Sequence, residues 1–134
     1  MDGLVLDPQV FERERLEIMF SKLILALEMT PLDKAMFYEV PVDPSVLERV
    51  KRTGTFEDEG GTSMLQVIST SHISIHTWPL QGKFSLDAFS CKAFNAQLAI
   101  AIIGESLGVT ASNTTVFERQ WPESGQRLTH YFEI

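Results

Sequence analysis

The chain has 134 residues, 44% of them hydrophobic, enough for one domain with a core of its own. Its formal net charge of −7 argues against a nucleic-acid surface, and no basic stretch offers a membrane attachment. The single cysteine, Cys91, excludes an intramolecular disulfide and a four-thiolate zinc site built from one chain.

The opening stretch MDGLVLDPQVFERER has no basic segment followed by an apolar one, so it does not read as a signal peptide. No run of 18 apolar residues occurs, and the expectation is a soluble, cytoplasmic protein. Residues 10–29 read as a helix entered at Asp7-Pro8 and stopped before Pro31. Phe11, Ile18, Leu23, Leu25 and Leu27 do not form one clean stripe, and the loss of charge after Lys22 makes the second half the more buried one. Residues 34–42 read as a short strand. Asp43-Pro44 opens a short helix over 44–52 that Gly54 ends. Residues 55–63 form a loop with three acids and two glycines.

Residues 64–69, 72–78 and 83–91 alternate as strands, the last two joined by a turn at 79–82. Residues 93–107 are a strongly apolar helix capped by Gly108. Residues 109–121 read as one strand, 122–126 as a turn and 127–134 as a last strand. No repeat or low-complexity segment is present. Strands adjacent in sequence are joined by short turns, and helices are few. The expected fold is α+β: a two-layer sandwich with an antiparallel sheet and helices packed on one face, a single domain over residues 1–134.

Uncommon chemistry concentrates in "STSHISIHTWPLQGKFSLDAFSC", residues 69–91. Ser71 is followed five residues on by His76 and twenty on by Cys91. A hydroxyl, an imidazole and a thiol are the parts of nucleophilic or proton-transfer chemistry. Isolated serines and histidines beside strands are more often structural, and a lone cysteine is most often a small buried hydrophobe. A metal site from His72 and His76 is disfavoured: at i and i+4 on a strand they stand about 13 Å apart.

The string itself is more specific than its spacing. "SHISIHTWP" followed by "DAFSC" resembles the self-processing region of the bacterial and archaeal S-adenosylmethionine decarboxylases, with its Glu-Ser-His-x-x-Ile-His-Thr-Trp-Pro-Glu run and following Phe-x-Cys. His72, Ile75, His76, Thr77, Trp78, Pro79, Asp87, Phe89 and Cys91 fall in register, and Ser63 lands on a family serine. The resemblance runs from Gly61 to the "FERQ" after the apolar helix. Residues 1–55 diverge: the family opens with a strand and then a long helix, whereas here a helix comes first.

The resemblance implies cleavage between Thr70 and Ser71. The Ser71 hydroxyl attacks the Thr70 carbonyl, an ester forms, and β-elimination then leaves a pyruvoyl group at residue 71. His76 resembles the base of the elimination and Ser63 the residue that assists processing. The self-generated pyruvoyl cofactor forms a Schiff base with the substrate amine and accepts the electrons left by CO₂. Cys91 resembles the acid that reprotonates the product. The resemblance also implies a homodimer with its sites at the subunit interface, a small-molecule substrate with a primary amine and a carboxylate, and a place in spermidine synthesis.

Two departures bear on this. Thr70 stands where the family has Glu, and its side chain is not formally needed for attack on its carbonyl. Leu80 stands where the family has the Glu that accepts bonds from the substrate's ribose, at a cost of roughly 1.5–3 kcal/mol per lost bond. Glu57, Asp58 and Glu59 are the nearest replacement acids, with a solvated loop as their plainer reading. Trp78 and Phe89 either stack on an adenine or pack in the core. A basic amino acid such as arginine or ornithine is the alternative substrate, and a non-catalytic, non-processing paralogue that binds a partner is the alternative function. One geometric difficulty stands: Ser71 and His76 have opposite parity on a regular strand, and a bulge at residues 70–71 is the expected remedy. His130 reads as structural.

Overall fold

The computed structural model of the chain describes residues 1–119 and 131–134. The elements run β1 (Asp2–Val5), a 3-10 turn (Pro8–Phe11), α1 (Arg13–Ala26), β2 (Met36–Val40), α2 (Ser45–Thr53), β3 (Gly61–Ile68), β4 (Ser71–Trp78), a second 3-10 turn (Pro79–Gln81), β5 (Lys83–Ser90), α3 (Ala96–Leu107), β6 (Val109–Asn113), β7 (Phe117–Arg119) and β8 (Tyr131–Glu133). Strand order is β2-β3-β4-β5-β1-β6, antiparallel throughout, with the β7–β8 ribbon joined to β5 at Phe89 and Ser90. The α+β sandwich expected from the sequence is the fold observed.

The chain opens with a strand, not a helix. β1 slots between β5 and β6, and Gly3 makes this possible, because a Cβ there would collide with the Phe84 ring. The Met1 amino group donates to the Leu86 carbonyl at 2.7 Å, extending the pairing along β5. Asp7 and Pro8 do mark an entry, with the Asp7 carboxylate accepting from the Gln9 N–H, but they open the 3-10 turn; α1 starts after it.

The stripe of α1 exists, but of the residues considered for it within the helix only Leu23 belongs to it. Leu16, Met19, Phe20 and Leu23 recur at helical spacing and are all buried, while Ile18 and Leu25 face outward, so the second half is not the more buried one. They meet Ala99, Ile103 and Leu107 of α3 and the inward faces of β3, β4 and β5: Met64, Ile73, Ile75, Phe84, Leu86 and Ala88. Each such burial stabilises the fold by roughly 1.5–3 kcal/mol before entropy is counted. The Asn95 side chain caps α3 by accepting from the Leu98 N–H, and Gly108 ends it in the left-handed conformation.

α2 stands apart from this core and buries only Val46. It starts where expected, with Asp43 accepting from the N–H and hydroxyl of Ser45, and ends at left-handed Gly54. The stretch expected as one strand over 109–121 divides into β6 and β7. The expected turn at 122–126 and His130 lie outside the described residues, as do residues 127–129 of the expected last strand, whose described part carries β8.

Candidate functional site

With α1 and α3 on one face, the other face of the sheet is left open among the described residues. Alternation puts Ser63, Leu65 and Val67 of β3, His72, Ser74, His76 and Trp78 of β4, and Lys83, Ser85, Asp87 and Phe89 of β5 on that open face, because Met64, Ile73, Ile75, Phe84 and Leu86 point the other way. Exposed Met36, Tyr38 and Val40 of β2 extend it at the edge. Two groups of reactive side chains occupy opposite ends of β4.

The first group centres on a cross-strand pair. Ser63 lies directly opposite His76 in the β3–β4 ladder, and the Ser63 hydroxyl and His76 Nδ1 share a hydrogen bond of 2.6 Å. Trp78 abuts the His76 ring edge-on at 4.6 Å and also meets Phe56 edge-on at 5.4 Å. The Trp78 indole N–H donates to Asp58 at 3.1 Å. A cavity of about 550 Å³ opens beside Trp78, lined also by Leu4, Phe56, Lys83, Ser85 and Asn113.

The second group sits at the β3–β4 hairpin. Residues 69 and 70 make the turn, and Ser71 begins β4 with φ of +149°, a conformation that costs a non-glycine residue about 1–3 kcal/mol. Neighbours on a regular strand point to opposite faces. Here the Ser71 hydroxyl instead meets Nδ1 of adjacent His72 at 2.9 Å. The expected bulge is absent: the ladder runs without a shift from Ser63–His76 to Ile68–Ser71, and the positive φ at Ser71 accompanies a bond to His72, not to His76. The Thr70 carbonyl accepts from the Cys91 N–H at 2.9 Å. The Thr70 hydroxyl accepts from buried Ser90, whose oxygen accepts in turn from the Lys92 N–H. The Ser69 N–H donates to the Thr30 carbonyl, so the segment after α1 clamps the turn. Phe89 lies beside the His72 ring at 6.0 Å, and the Arg119 guanidinium lies over the Phe89 ring, 4.5 Å from its centroid. The Cys91 thiol is exposed.

The structure thus joins Ser63 to His76, Thr70 to the Cys91 backbone and Ser71 to His72, but keeps the two groups apart. Five residues of strand separate Ser71 from His76, roughly 17 Å at the rise of a β-strand. His72, not expected as a partner of Ser71, is the imidazole at the serine; adjacency on a strand gave no signal for it, because neighbours there point to opposite faces.

The acids of the 55–60 loop have defined uses. Glu57 pairs with Arg49 of α2, whose guanidinium holds the carboxyl below the ordinary glutamate range. Glu59 is 1% exposed, and its two oxygens accept from the Leu80 and Gln81 N–H groups at 2.7 and 2.9 Å. That occupies the carboxylate considered above as a ribose acceptor, on the backbone under half-exposed Leu80. Asp58 keeps its carboxylate at the surface against Trp78. Glu59→Ala would orphan two N–H groups and is expected to lower the unfolding free energy by about 3 kcal/mol. Urea denaturation checks this; a loss under about 1 kcal/mol would mean water reaches the turn and replaces the carboxylate.

Among the described residues no helix is long and apolar enough to cross a membrane. The family model for S-adenosylmethionine decarboxylase matches residues 6–120. The S-adenosylmethionine decarboxylase proenzyme of Thermococcus kodakarensis is 33% identical over 72 residues, which cover 52% of this chain and 50% of that one. The corresponding proenzyme of Parasynechococcus marenigrum is 35% identical over 71 residues, 52% of this chain and 55% of that one. The chain spans about half the length of the curated relatives it matches. The crystal structure of the adenosylmethionine decarboxylase from Aquifex aeolicus superposes with a TM-score of 0.62 at 21% identity, covering 93% of this chain and 92% of that one, and so shares the fold.

Proposed function

Because this chain belongs to the S-adenosylmethionine decarboxylase family, we propose that it is a proenzyme that cuts itself between Thr70 and Ser71 and decarboxylates S-adenosylmethionine for spermidine synthesis. The observation that carries this reading is the state of the bond to be cut. The residue after it is twisted to a positive φ, its hydroxyl is on an imidazole, and the carbonyl before it is polarised by an N–H. Those are the features of a bond prepared for attack by its own neighbour.

The pyruvoyl group formed from Ser71 supplies the electron sink for loss of CO₂. The residues around Ser71 fit it: a hairpin start open to the free face, with Cys91 and Phe89 beside it. Cys91 delivers a proton to the product carbon from the exposed end of this group. Trp78 and the cavity of about 550 Å³ beside it suit a nucleoside in size. Leu80 brings no acceptor for a ribose, and Asp58, held against Trp78, is the acid of the loop best placed to replace it.

The reading further requires a homodimer. Ser63 and His76 are too distant to serve Ser71 of their own chain, so they act on that of a second copy. Packing of two open faces would cover Met36, Tyr38, Val40 and Val67, all large hydrophobics left exposed in the single chain.

Denatured intact mass tests the whole. Cleavage should give chains of 1–70 and 71–134, the second with a ketone in place of its amine; an unchanged 15.1 kDa chain after long incubation would overturn self-processing. Co-expression of Ser71→Ala with His76→Ala tests the exchange between copies. Each variant alone stays uncut, and in the mixture the His76→Ala chain should be cut. A mixture that stays whole would place His76 in the service of its own chain.

A further inference from the structure

We infer that His72 is the base for the first step of maturation, a step separate from the one served by Ser63 and His76. The inference rests on the self-processing reading above. Ser71 must lose its hydroxyl proton as the oxygen attacks. Among the described residues the side chain hydrogen-bonded to that hydroxyl is the His72 imidazole, with Nδ1 at 2.9 Å. His76 is at the other end of the strand, and its own Nδ1 is held by Ser63 at 2.6 Å. A nucleophile and a base within hydrogen-bond reach are the minimal unit of such a step.

The rest of the hairpin completes that unit. The Cys91 N–H points at the Thr70 oxygen, where negative charge gathers when the carbonyl is attacked. Ser90 is 1% exposed, accepts from the Lys92 N–H and donates to the Thr70 hydroxyl. Thr70 is thereby anchored by a side chain of the neighbouring strand. The carbonyl is then fixed from both sides: its oxygen on Cys91, its own side chain on Ser90.

The step balances without a co-reactant. With its Nε2 protonated, His72 accepts the Ser71 proton at Nδ1 as the bond from Ser71 Oγ to the Thr70 carbonyl carbon forms. The tetrahedral oxyanion collapses, the bond between that carbon and the Ser71 nitrogen breaks, and His72 returns the proton to the nitrogen. The product is an ester isomer of the starting chain, of identical mass. Removal of the Ser71 α-proton then needs a base on another side of the residue, which leaves that step to Ser63 and His76.

The two roles separate in a test with hydroxylamine, which cleaves esters and spares amides. His76→Ala should stay whole alone, yet hydroxylamine should split it into 1–70 and a 71–134 chain that still begins with serine. His72→Ala and His72→Asn should form ester at least about 100-fold more slowly and stay whole with hydroxylamine. Asn keeps a hydrogen-bonding group near Nδ1 without a base, so it distinguishes proton transfer from positioning. Added imidazole should restore ester formation in His72→Ala. His72 is half-buried on the open face, so the smaller side chains leave the core intact. Cleavage of His72→Asn at the wild-type rate, or ester accumulating in it as in His76→Ala, would overturn the role of His72. A wild-type chain that never cuts would instead overturn self-processing, and this inference with it.

Discussion

Ser71→Gly is expected to abolish cleavage completely and to be more stable than the equally uncut Ser71→Ala. Neither variant has a hydroxyl to attack the Thr70 carbonyl, so both should run as one chain of about 15 kDa. They differ in what the backbone at residue 71 costs. At φ of +149° alanine keeps the strain of about 1–3 kcal/mol that serine bears, and glycine removes it. Glycine also loosens the unfolded chain, which costs roughly 0.5–1 kcal/mol. Strain relief is the larger effect, and Ser71→Gly should exceed Ser71→Ala by about 1 kcal/mol. Urea midpoints at one protomer concentration give the comparison directly. Equal midpoints, or a less stable glycine variant, would mean that the hairpin does not store strain at the bond to be cut.

That strain shows where the sequence stops being informative. The three central strands were legible because one face of each had to be apolar: Met64 and Ile68, Ile73 and Ile75, Phe84 and Leu86 recur at period two. α3 was legible from its apolar run and its Gly108 cap. β1 was not, since four residues with a glycine among them carry no periodic signal; they form a strand because β5 and β6 present two open edges to them. The apolar stripe of α1 was obscured by exposed Ile18 and Leu25, which share the helix with it.

Within the site the motif singled out a string of residues and left their grouping open. Ser63 and His76 meet because the register of β3 on β4 pairs them, and a hairpin of different length would have parted them. Ser71 meets His72 through a backbone torsion that no pattern of side chains encodes. Glu59 looked like one acid of a solvated loop, and only the fold reveals that its carboxylate is sealed under the Pro79–Gln81 turn. Apolar alternation reports burial, whereas hydrogen-bond partners depend on register and torsion.

Cys91→Ala should leave maturation intact and remove most of the decarboxylase activity. The structure divides this residue into two parts with different work. Its main-chain N–H donates to the Thr70 carbonyl at 2.9 Å, and alanine supplies that N–H equally well. Its thiol is exposed beside the hairpin and makes no part of the Thr70–Ser90–Lys92 chain of hydrogen bonds. Cleavage into 1–70 and 71–134 should therefore proceed at nearly the wild-type rate, followed by mass. The proposed task of the thiol comes later, as the proton donor to the product carbon, and loss of such a donor typically slows a reaction by about 10²–10⁴-fold. Release of CO₂ from S-adenosylmethionine by the fully cut variant measures it. Slow cutting would assign the thiol itself to maturation, and a fully cut variant with undiminished turnover would move the proton donor to another group on the open face.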